Sequence, residues 1–233
     1  MRVFVTILAL VPALCLAAPV RKDAPERPEG APTPEQAEAS RNNLKVIGLA
    51  MHNHEAANGT LPTDVMKGKK PLLSWRVAIL PYMEGQKELY EGFKLDEPWD
   101  SEHNMKLIEK IPNVYTAVRG KAKKGETFYQ CFSGEGAFLQ PGKALRFADI
   151  ADGTSNTLMV VESEKAVPWT KPEDIPFDAK KPLPKLGGMF EGDFHAVLCD
   201  GSVRRVRKGI DPMTLRALIT VAGGEVINRD GDE

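Results

Sequence analysis

The sequence has no large excess of charge, few aromatic residues and few cysteines. Its 31 lysines and arginines nearly balance its 32 acidic residues, which gives a formal charge of -1 at pH 7. A protein that binds nucleic acid without sequence preference needs a basic excess to displace counterions. We therefore expect no nucleic-acid partner, and we interpret the basic runs 121–124 and 204–208 as solvated turns and a protected strand edge.

Recognisable catalytic and metal-binding motifs are also lacking. The sequence contains no Gly-x-Ser-x-Gly elbow, no phosphate-binding loop and no Cys/His spacing typical of a zinc site. Only 7% of its residues are aromatic, whereas a glycosidase needs two carboxylates on different elements in an aromatic cleft. Glu162 and Glu164 would lie on one side of a strand, and we expect Glu162 to pair with a basic residue or a backbone amide. We predict a protein that is not an enzyme and has no cofactor.

An apolar run long enough to be a targeting segment occurs at the N-terminus. Arg2 precedes the stretch Val3–Ala17, which contains Pro12 and ends in small residues. This order is typical of a secretory signal peptide. About fifteen residues rise only about 22 Å as a helix, less than the roughly 30 Å hydrocarbon core. We expect residues 1–17 to be cleaved, with retention as an anchor as the alternative. The protein is then exported, periplasmic or extracellular, without stable membrane insertion.

Proline separates this signal from the rest of the chain. Pro19–Pro34 contains five prolines with mixed charge and no apolar periodicity, a composition typical of a disordered, partly extended linker. The remaining length is that of one compact domain. We predict a signal peptide at 1–17, a disordered tether at 18–33 and a single globular domain at 34–229.

Helical patterns come first in the globular part. Thr33 and Gln36 form a capping box around Pro34, which suits the first helical position, and Asn58-Gly59 provides the stop. Shorter helices are expected further along, each with an apolar face and a capping residue or a terminating proline. They are Ser74–Tyr82, Gln86–Phe93, Glu102–Glu109 and a last helix that begins after Asp211.

Patterns typical of strands follow Pro112. Short runs of β-branched and aromatic residues are separated by Gly, Pro and Asp-Gly turns. Helices first and antiparallel strands later predict the α+β class. The predicted strands are Val114–Val118, Thr127–Cys131, Leu145–Ile150, Thr157–Glu162, Phe194–Cys199 and Val203–Val206, with a long loop at Lys165–Lys185.

Two cysteines remain after signal removal, since Cys15 leaves with the signal. Cys131 and Cys199 lie in predicted strands of a protein exported to an oxidising compartment. A disulfide between them would contribute about 4 kcal/mol. The alternative is two small buried residues in neighbouring strands. Both stay open because the sequence does not show whether the two Cβ atoms meet.

Oxygen donors cluster in one segment. Asp149, Asp152, Ser155 and Asn156 lie within eight residues, so they are candidate calcium ligands, although their spacing is not that of an EF-hand loop. In the alternative, Asp152-Gly153 makes a turn, and Ser155 and Asn156 bond nearby backbone amides. We favour the turn and assign no metal.

Five segments, taken in their order, resemble one family. That family is the planctomycete-type prepilin-like secreted proteins, the domain of unknown function 1559, also filed with bacterial extracellular solute-binding proteins of family 10. The segments are 41–53, 73–82, 97–101, 147–157 and the hairpin 194–204 with 215–226, and their signature residues are Trp75, Trp99, Asp152, Gly153, Asp200 and Gly201.

The resemblance implies a pilin- or pseudopilin-head-like fold, with an N-terminal helix packed on an antiparallel sheet and additional short helices. Here a conventional signal and a tether replace the family's prepilin cleavage site and long apolar helix. We therefore expect an exported, non-enzymatic structural or interaction module of the cell envelope. Its partners would be other envelope or pilin-like proteins. The alternative is an extracytoplasmic solute- or glycan-binding protein.

Overall fold

A computed structural model describes residues 31–120 and 122–225. The signal peptide predicted at 1–17 and most of the tether predicted at 18–33 lie outside the described residues. From Pro32 onward, the described residues belong to one compact unit. Within these ranges, no helix is both long enough and apolar enough to cross a membrane.

Helices and strands alternate as mostly short elements along the unit. The helices are α1 (Pro34–Asn58), α2 (Trp75–Ala78), α3 (Lys87–Glu91) and α4 (Pro212–Ile219). The strands are β1 (Val65–Lys67), β2 (Lys70–Leu73), β3 (Glu126–Gln130), β4 (Phe132–Ser133), β5 (Leu158–Pro168), β6 (Ile175–Pro176), β7 (Phe194–Leu198) and β8 (Val203–Val206). Short 3-10 helices lie at Leu80–Tyr82, Asn104–Lys110, Asn113–Tyr115, Phe147–Asp149 and Thr154–Asn156.

The caps predicted for α1 are confirmed. The Thr33 hydroxyl accepts a hydrogen bond from the Gln36 N–H at 3.2 Å, and the Gln36 side chain accepts one from the Thr33 N–H at 3.0 Å. Gly59 ends the helix with a φ of 73°, a left-handed conformation that glycine adopts without steric cost. The inward face of α1 is formed by residues at helical spacing. Its buried residues are Ser40, Leu44, Ile47, Gly48, Ala50 and Met51.

The main sheet has four antiparallel strands in the order β3-β5-β7-β8. α1 packs against β7 at very short range, because a Cβ on Gly48 would lie 2.8 Å from the Val197 Cγ2 atom. Glycine at this position therefore allows the helix to approach the sheet closely. Helix-on-antiparallel-sheet packing confirms the predicted α+β class. Outside this sheet, β1 and β2 form an antiparallel hairpin and β4 pairs with β6 in parallel.

Apolar residues cover both faces of the main sheet. Along β7, Val197 belongs to the core shared with α1, whereas Phe194 and Ala196 belong to the core shared with α4. This alternation follows from the two-residue period of a strand. All five residues of β7 are buried as a result. A polar side chain on β7 is then enclosed and needs an internal partner.

Two predicted strands are wrong. Val114–Val118 and Leu145–Ile150 overlap 3-10 helices at Asn113–Tyr115 and Phe147–Asp149 instead. Their apolar residues do enter the core, as Tyr115 does with no exposure at all. Burial without strand pairing therefore produced a β-like pattern, because a short apolar run does not by itself define the backbone that carries it.

Three further elements differ from the predictions. The helix predicted at Glu102–Glu109 is a 3-10 helix over Asn104–Lys110. The loop predicted from Lys165 begins later because β5 continues to Pro168, and β6 lies within it. The hairpin of β1 and β2 was not predicted at all, since its lysines and proline give it little strand propensity.

Candidate functional site

A buried polar network lies between α1 and the main sheet. We call it the glutamate cluster, and its members are Ser40, Tyr129, Glu162 and His195. None of them is more than 2% exposed. Glu162 accepts a hydrogen bond from the Ser40 hydroxyl and another, at 2.7 Å, from the backbone N–H of His195. The Ser40 hydroxyl also lies 2.8 Å from the Tyr129 hydroxyl, and burial raises the pKa of Tyr129, so this phenol stays protonated.

The order of groups in the glutamate cluster does not suit nucleophilic catalysis. In a Ser-His-acid triad the imidazole bonds the hydroxyl and the acid orients the imidazole. Here the Glu162 carboxylate stands between Ser40 and His195, with its Oε2 atom 3.2 Å from His195 Nδ1. The other ring nitrogen, Nε2, has no hydrogen-bond partner among the described residues, and the ring packs edge-on against Phe190. The cluster therefore joins helix to sheet instead of exposing a nucleophile.

The partner expected for Glu162 is confirmed, since the carboxylate bonds the His195 amide and approaches its ring. Glu162 and Glu164, which we expected on one side of a strand, differ in environment, because Glu162 is buried and Glu164 is exposed. The pairing of β3 with β5 is irregular between Thr127 and Tyr129, which breaks the alternation in this part of β5. Sequence reasoning missed Ser40 as a partner, because 122 positions separate it from Glu162.

A second buried polar group surrounds a fully buried arginine. We call it the arginine cluster, and its members are Asp64, Trp75, Arg76 and Asp174. Arg76 forms a salt bridge of 2.8 Å with Asp174, and their side chains are 0% and 2% exposed. Its guanidinium also donates to the backbone oxygen of Tyr129 at 2.8 Å and to the Ser74 hydroxyl at 2.6 Å. Each buried donor that these bonds satisfy avoids a desolvation cost of about 1–3 kcal/mol.

Asp174 is the common acceptor of the arginine cluster. Besides Arg76, it accepts from the Trp75 indole N–H at 3.1 Å and from the Cys131 backbone N–H at 2.7 Å. Burial raises the pKa of Asp174, and the nearby Arg76 charge opposes that shift. The signature residue Trp75 is therefore a buried anchor whose polar edge has a partner, as a buried indole requires.

Asp64 differs from the other members because it is only partly enclosed. One carboxylate oxygen, Oδ1, accepts from the Trp75 backbone N–H at 3.0 Å. Burial, and then the charge of Asp174, raise the pKa of Asp64 to about 6. Among the described residues, no group donates a hydrogen bond to its second oxygen, Oδ2. This carboxylate therefore keeps a free acceptor, and its residue borders open space.

That open space is a cavity of about 520 Å³, which we call the cleft. Its walls come from the β1–β2 hairpin and from the segment 139–144, and both polar and apolar residues line it. The lining includes Asp64, Met66, Lys69, Pro71, Gln140 and Lys143. A smaller cavity of about 270 Å³ borders Asp174 from another direction, next to Gln130 and Lys165. The arginine cluster thus lies beside two cavities.

Two of the candidate calcium ligands, Asp149 and Asp152, accept hydrogen bonds from backbone groups of the protein. Asp149 caps its own short helix by bonding the Arg146 backbone and guanidinium. Asp152 accepts from the backbone N–H groups of Gly223 and Gly224 at 2.7 and 2.8 Å, which ties the turn to the segment after α4.

The two remaining calcium candidates lie in the same turn. Asn156 donates from its side chain to the Asp152 backbone oxygen at 3.0 Å, and Gly153 has a φ of 92°. Ser155 is half-buried in the adjoining 3-10 helix. Within the described ranges, no three His, Cys, Asp or Glu side chains are grouped as metal ligands would be. The contacts of Asp152 and Asn156 and the backbone of Gly153 match the turn alternative.

The disulfide that the sequence left open is not formed in this structure. Cys131 and Cys199 are free and buried in the same core. Burial raises the pKa of both thiols, so neither is activated as a thiolate nucleophile. The two cysteines act as small core residues, which was the other alternative.

The remaining signature residues shape the backbone. Gly201 takes a φ of 83° in the turn between β7 and β8, where Asp200 accepts from the Ser202 N–H at 2.8 Å. The predicted hairpin is therefore confirmed. Trp99 is partly buried, and its backbone N–H donates to Leu72 at 2.8 Å, which attaches the following segment to β2. None of these contacts positions a reactive group.

Comparison with known proteins identifies the family. The family model described as a protein of unknown function (DUF1559), named SBP_bac_10, matches residues 37–113 and 110–185. These segments cover more than half of the chain, so the chain belongs to this family, and the predicted membership is confirmed. The matched residues include Trp75, Trp99 and Asp152 but end before the hairpin at Gly201. No curated protein and no solved structure matches the chain.

Proposed function

We propose that the protein is an exported, non-enzymatic interaction module of the cell envelope with a pilin-head-like domain. The observation that carries this proposal is the contrast between its buried and its exposed groups. Ser40, Glu162 and Arg76 are fully buried and bonded internally, so they do not serve as reactive groups. In contrast, Val46 and Leu49 on the outer side of α1 are 46% and 60% exposed.

The arrangement of α1 supports the pilin-like part of the proposal. A 25-residue helix lies on a four-stranded antiparallel sheet, and it begins directly after the segment predicted as a tether. Val46 and Leu49 are three positions apart, so they lie on one side of the helix. Other envelope or pilin-like proteins are the partners that this surface would take.

Capture from envelope extract tests the proposal. We expect the mature protein to retain an envelope protein, and the variant Leu49→Glu to lose it because the charge disrupts an apolar contact. Met105→Glu is the matched control, since Met105 is 53% exposed outside α1. The captured protein must bind again after purification. Recovery of a soluble metabolite alone, or capture that Leu49→Glu leaves intact, contradicts the proposal.

A second candidate function is the binding of a small solute outside the cytoplasm, and the cleft favours it. Small-molecule sites have volumes of about 300–1,000 Å³ and a few polar groups, and the cleft of about 520 Å³ has Asp64 among the residues that line it. None of the described residues that line it is aromatic, which disfavours a glycan that stacks on rings. A thermal-shift screen with sugars, amino acids and calcium tests this candidate, because a true ligand raises the melting temperature.

A further inference from the structure

The cleft has walls that are built by two tight turns. The first joins β1 to β2, where Gly68 has a φ of 63°. The second is closed by a 3.1 Å hydrogen bond from the Lys143 N–H to the Gln140 oxygen, and Gly142 within it has a φ of 74°. Pro141 followed by Gly142 is the sequence that a type II turn favours. Both walls are therefore held by backbone geometry.

Charges of opposite sign line this cleft, and Lys143 also lies near enough to Asp149 to lower the pKa of that carboxyl. Each turn contributes one lysine, Lys69 from the first and Lys143 from the second, and Asp64 contributes a carboxylate. Neither lysine forms a salt bridge within the part of the chain that the structure describes. The Oδ2 atom of Asp64 has no donor there either. A ligand that satisfies all three groups carries both an ammonium and a carboxylate.

Polar and apolar surfaces between these charges suit a peptide backbone and small side chains. Met66 and Pro71 are cross-strand partners on the hairpin, so their side chains lie on one face. Pro172 adds a rigid apolar wall, and Ser133 and Gln140 supply groups that bond amides. The hydroxyl groups of a sugar could form hydrogen bonds with these polar groups, but the sugar would have no aromatic ring to stack on.

We propose that the cleft binds a short peptide with free termini, with its ammonium group at Asp64 and its carboxylate at Lys69 and Lys143. The inference rests on the second candidate function, solute binding, and names its site and ligand class. Because both ends of the peptide are charged, each terminus contributes a charge-assisted hydrogen bond, and these are stronger than neutral ones. Blocking either terminus removes one of them.

Titration calorimetry at pH 7 with three probes tests the proposal. The probes are trialanine, its N-acetyl form and its C-terminal amide. We expect trialanine to bind the mature protein and each blocked form, which lacks one charged terminus, to bind at least about tenfold more weakly. A tenfold loss of affinity corresponds to about 1.4 kcal/mol. Equal affinity for the three probes, or no saturable binding of trialanine, overturns the proposal.

Variants assign each terminus to its residue. Asp64→Asn should weaken trialanine binding about tenfold and abolish the preference for trialanine over the N-acetyl form. Lys143→Gln should instead reduce the preference for trialanine over the amide. Lys45→Gln is the matched control, because Lys45 is an exposed lysine on α1 outside the cleft. If Asp64→Asn keeps full discrimination between trialanine and the N-acetyl form, the assignment is wrong.

The outcomes separate this inference from the functions on which it builds. Peptide binding with no captured envelope protein contradicts the interaction module and supports the cleft. Failure of trialanine together with a thermal shift by a sugar or a single amino acid contradicts the peptide and leaves solute binding. Envelope capture that Asp64→Asn does not affect shows that α1 and the cleft act separately. The first two results therefore each contradict a different statement.

Discussion

The glutamate cluster and the arginine cluster are both largely buried, but only the arginine cluster has a member that lines the cleft. In the glutamate cluster, α1 closes over the sheet, and its carboxylate binds a hydroxyl and an amide inside the core. In the arginine cluster, the salt bridge of Arg76 and Asp174 is equally enclosed, but the neighbouring Asp64 borders the cleft. One buried carboxylate thus has all its partners inside the core, whereas the other belongs to a residue that lines a cavity and keeps one oxygen without a donor.

This comparison also separates two roles for charge. An internal ion pair whose donors and acceptors are all bonded gives little net stability, but removing one partner leaves a buried charge and is costly. A carboxylate with a free oxygen at a cavity carries an unfavourable burial cost in the unliganded protein. A ligand with a matching charge would recover that cost. If the two clusters differ in this way, their variants should differ in stability and in pH dependence.

The largest effect is expected for Arg76→Leu, which leaves Asp174 as an unpaired buried charge. We expect the free energy of unfolding to fall by about 3–5 kcal/mol, as measured by urea denaturation. The matched control is Arg41→Leu, because Arg41 pairs with Glu38 on the exposed side of α1, and such pairs contribute at most about 1 kcal/mol. The double variant Arg76→Leu with Asp174→Leu should recover part of the loss. Equal losses for the Arg76 and Arg41 variants would refute the assignment.

A smaller loss is expected when the glutamate cluster is broken. Glu162→Leu leaves the His195 amide without an acceptor and removes one hydrogen bond of the Ser40 hydroxyl, which keeps the Tyr129 hydroxyl as a partner. The unpaired amide (about 1–3 kcal/mol) and the lost hydrogen bond (about 1 kcal/mol) together should cost about 2–4 kcal/mol. Glu164→Leu provides the control, since this exposed neighbour should change the unfolding free energy by no more than about 0.5 kcal/mol. Urea denaturation of both variants is the measurement. An indistinguishable pair of curves would mean that the cluster does not join α1 to the sheet.

The smallest effect concerns Asp64 and depends on pH. Its pKa of about 6 in the folded protein lies above the usual 3.8, so ionisation is more favourable in the unfolded chain. Relative to Asp64→Asn, the wild type should therefore lose about 1–3 kcal/mol of stability as the pH rises from 4 to 7. Thermal or urea unfolding at several pH values measures this difference. A difference in stability that is constant over this pH range would show that burial does not raise the pKa of Asp64.

A control of opposite sign is available for the pH experiment. Hydrogen bonds from Arg146 lower the pKa of Asp149 to about 2. The wild type should therefore gain stability relative to Asp149→Asn as the pH rises through the range in which the unfolded carboxyl ionises. If both differences run in the same direction, the raised pKa of Asp64 is not the cause of its pH dependence.

Local patterns predicted the fold better than they predicted the sites. The start and end of α1 followed from Thr33, Gln36 and Gly59, because caps are satisfied within three or four residues. The hairpin around Gly201 followed for the same reason. The strand predicted at Val114–Val118 was wrong because its buried residues pack against the core without pairing to a strand. An apolar run reports burial, and the backbone conformation depends on what packs against it.

The sites depend on contacts that no local pattern contains. Ser40 and Glu162 are 122 positions apart, and Arg76 and Asp174 are 98 apart. The sequence around one residue of each pair does not identify its partner, because a serine or an aspartate is ordinarily a surface residue. The cleft is similar, because the turn with Lys69 and the turn with Lys143 meet only in the folded chain.

The sequence by itself determined the α+β class, the extent of α1, the final hairpin and the family to which the chain belongs. Each of these rests on short-range hydrogen bonding, on the periodicity of apolar residues or on ordered motifs. Only the tertiary structure decided that Cys131 and Cys199 remain free, that Glu162 bonds Ser40 and His195, and that Asp64 borders a cleft. The physical reason is that desolvation and partner choice depend on which distant segments are packed together, and a linear sequence does not carry that proximity.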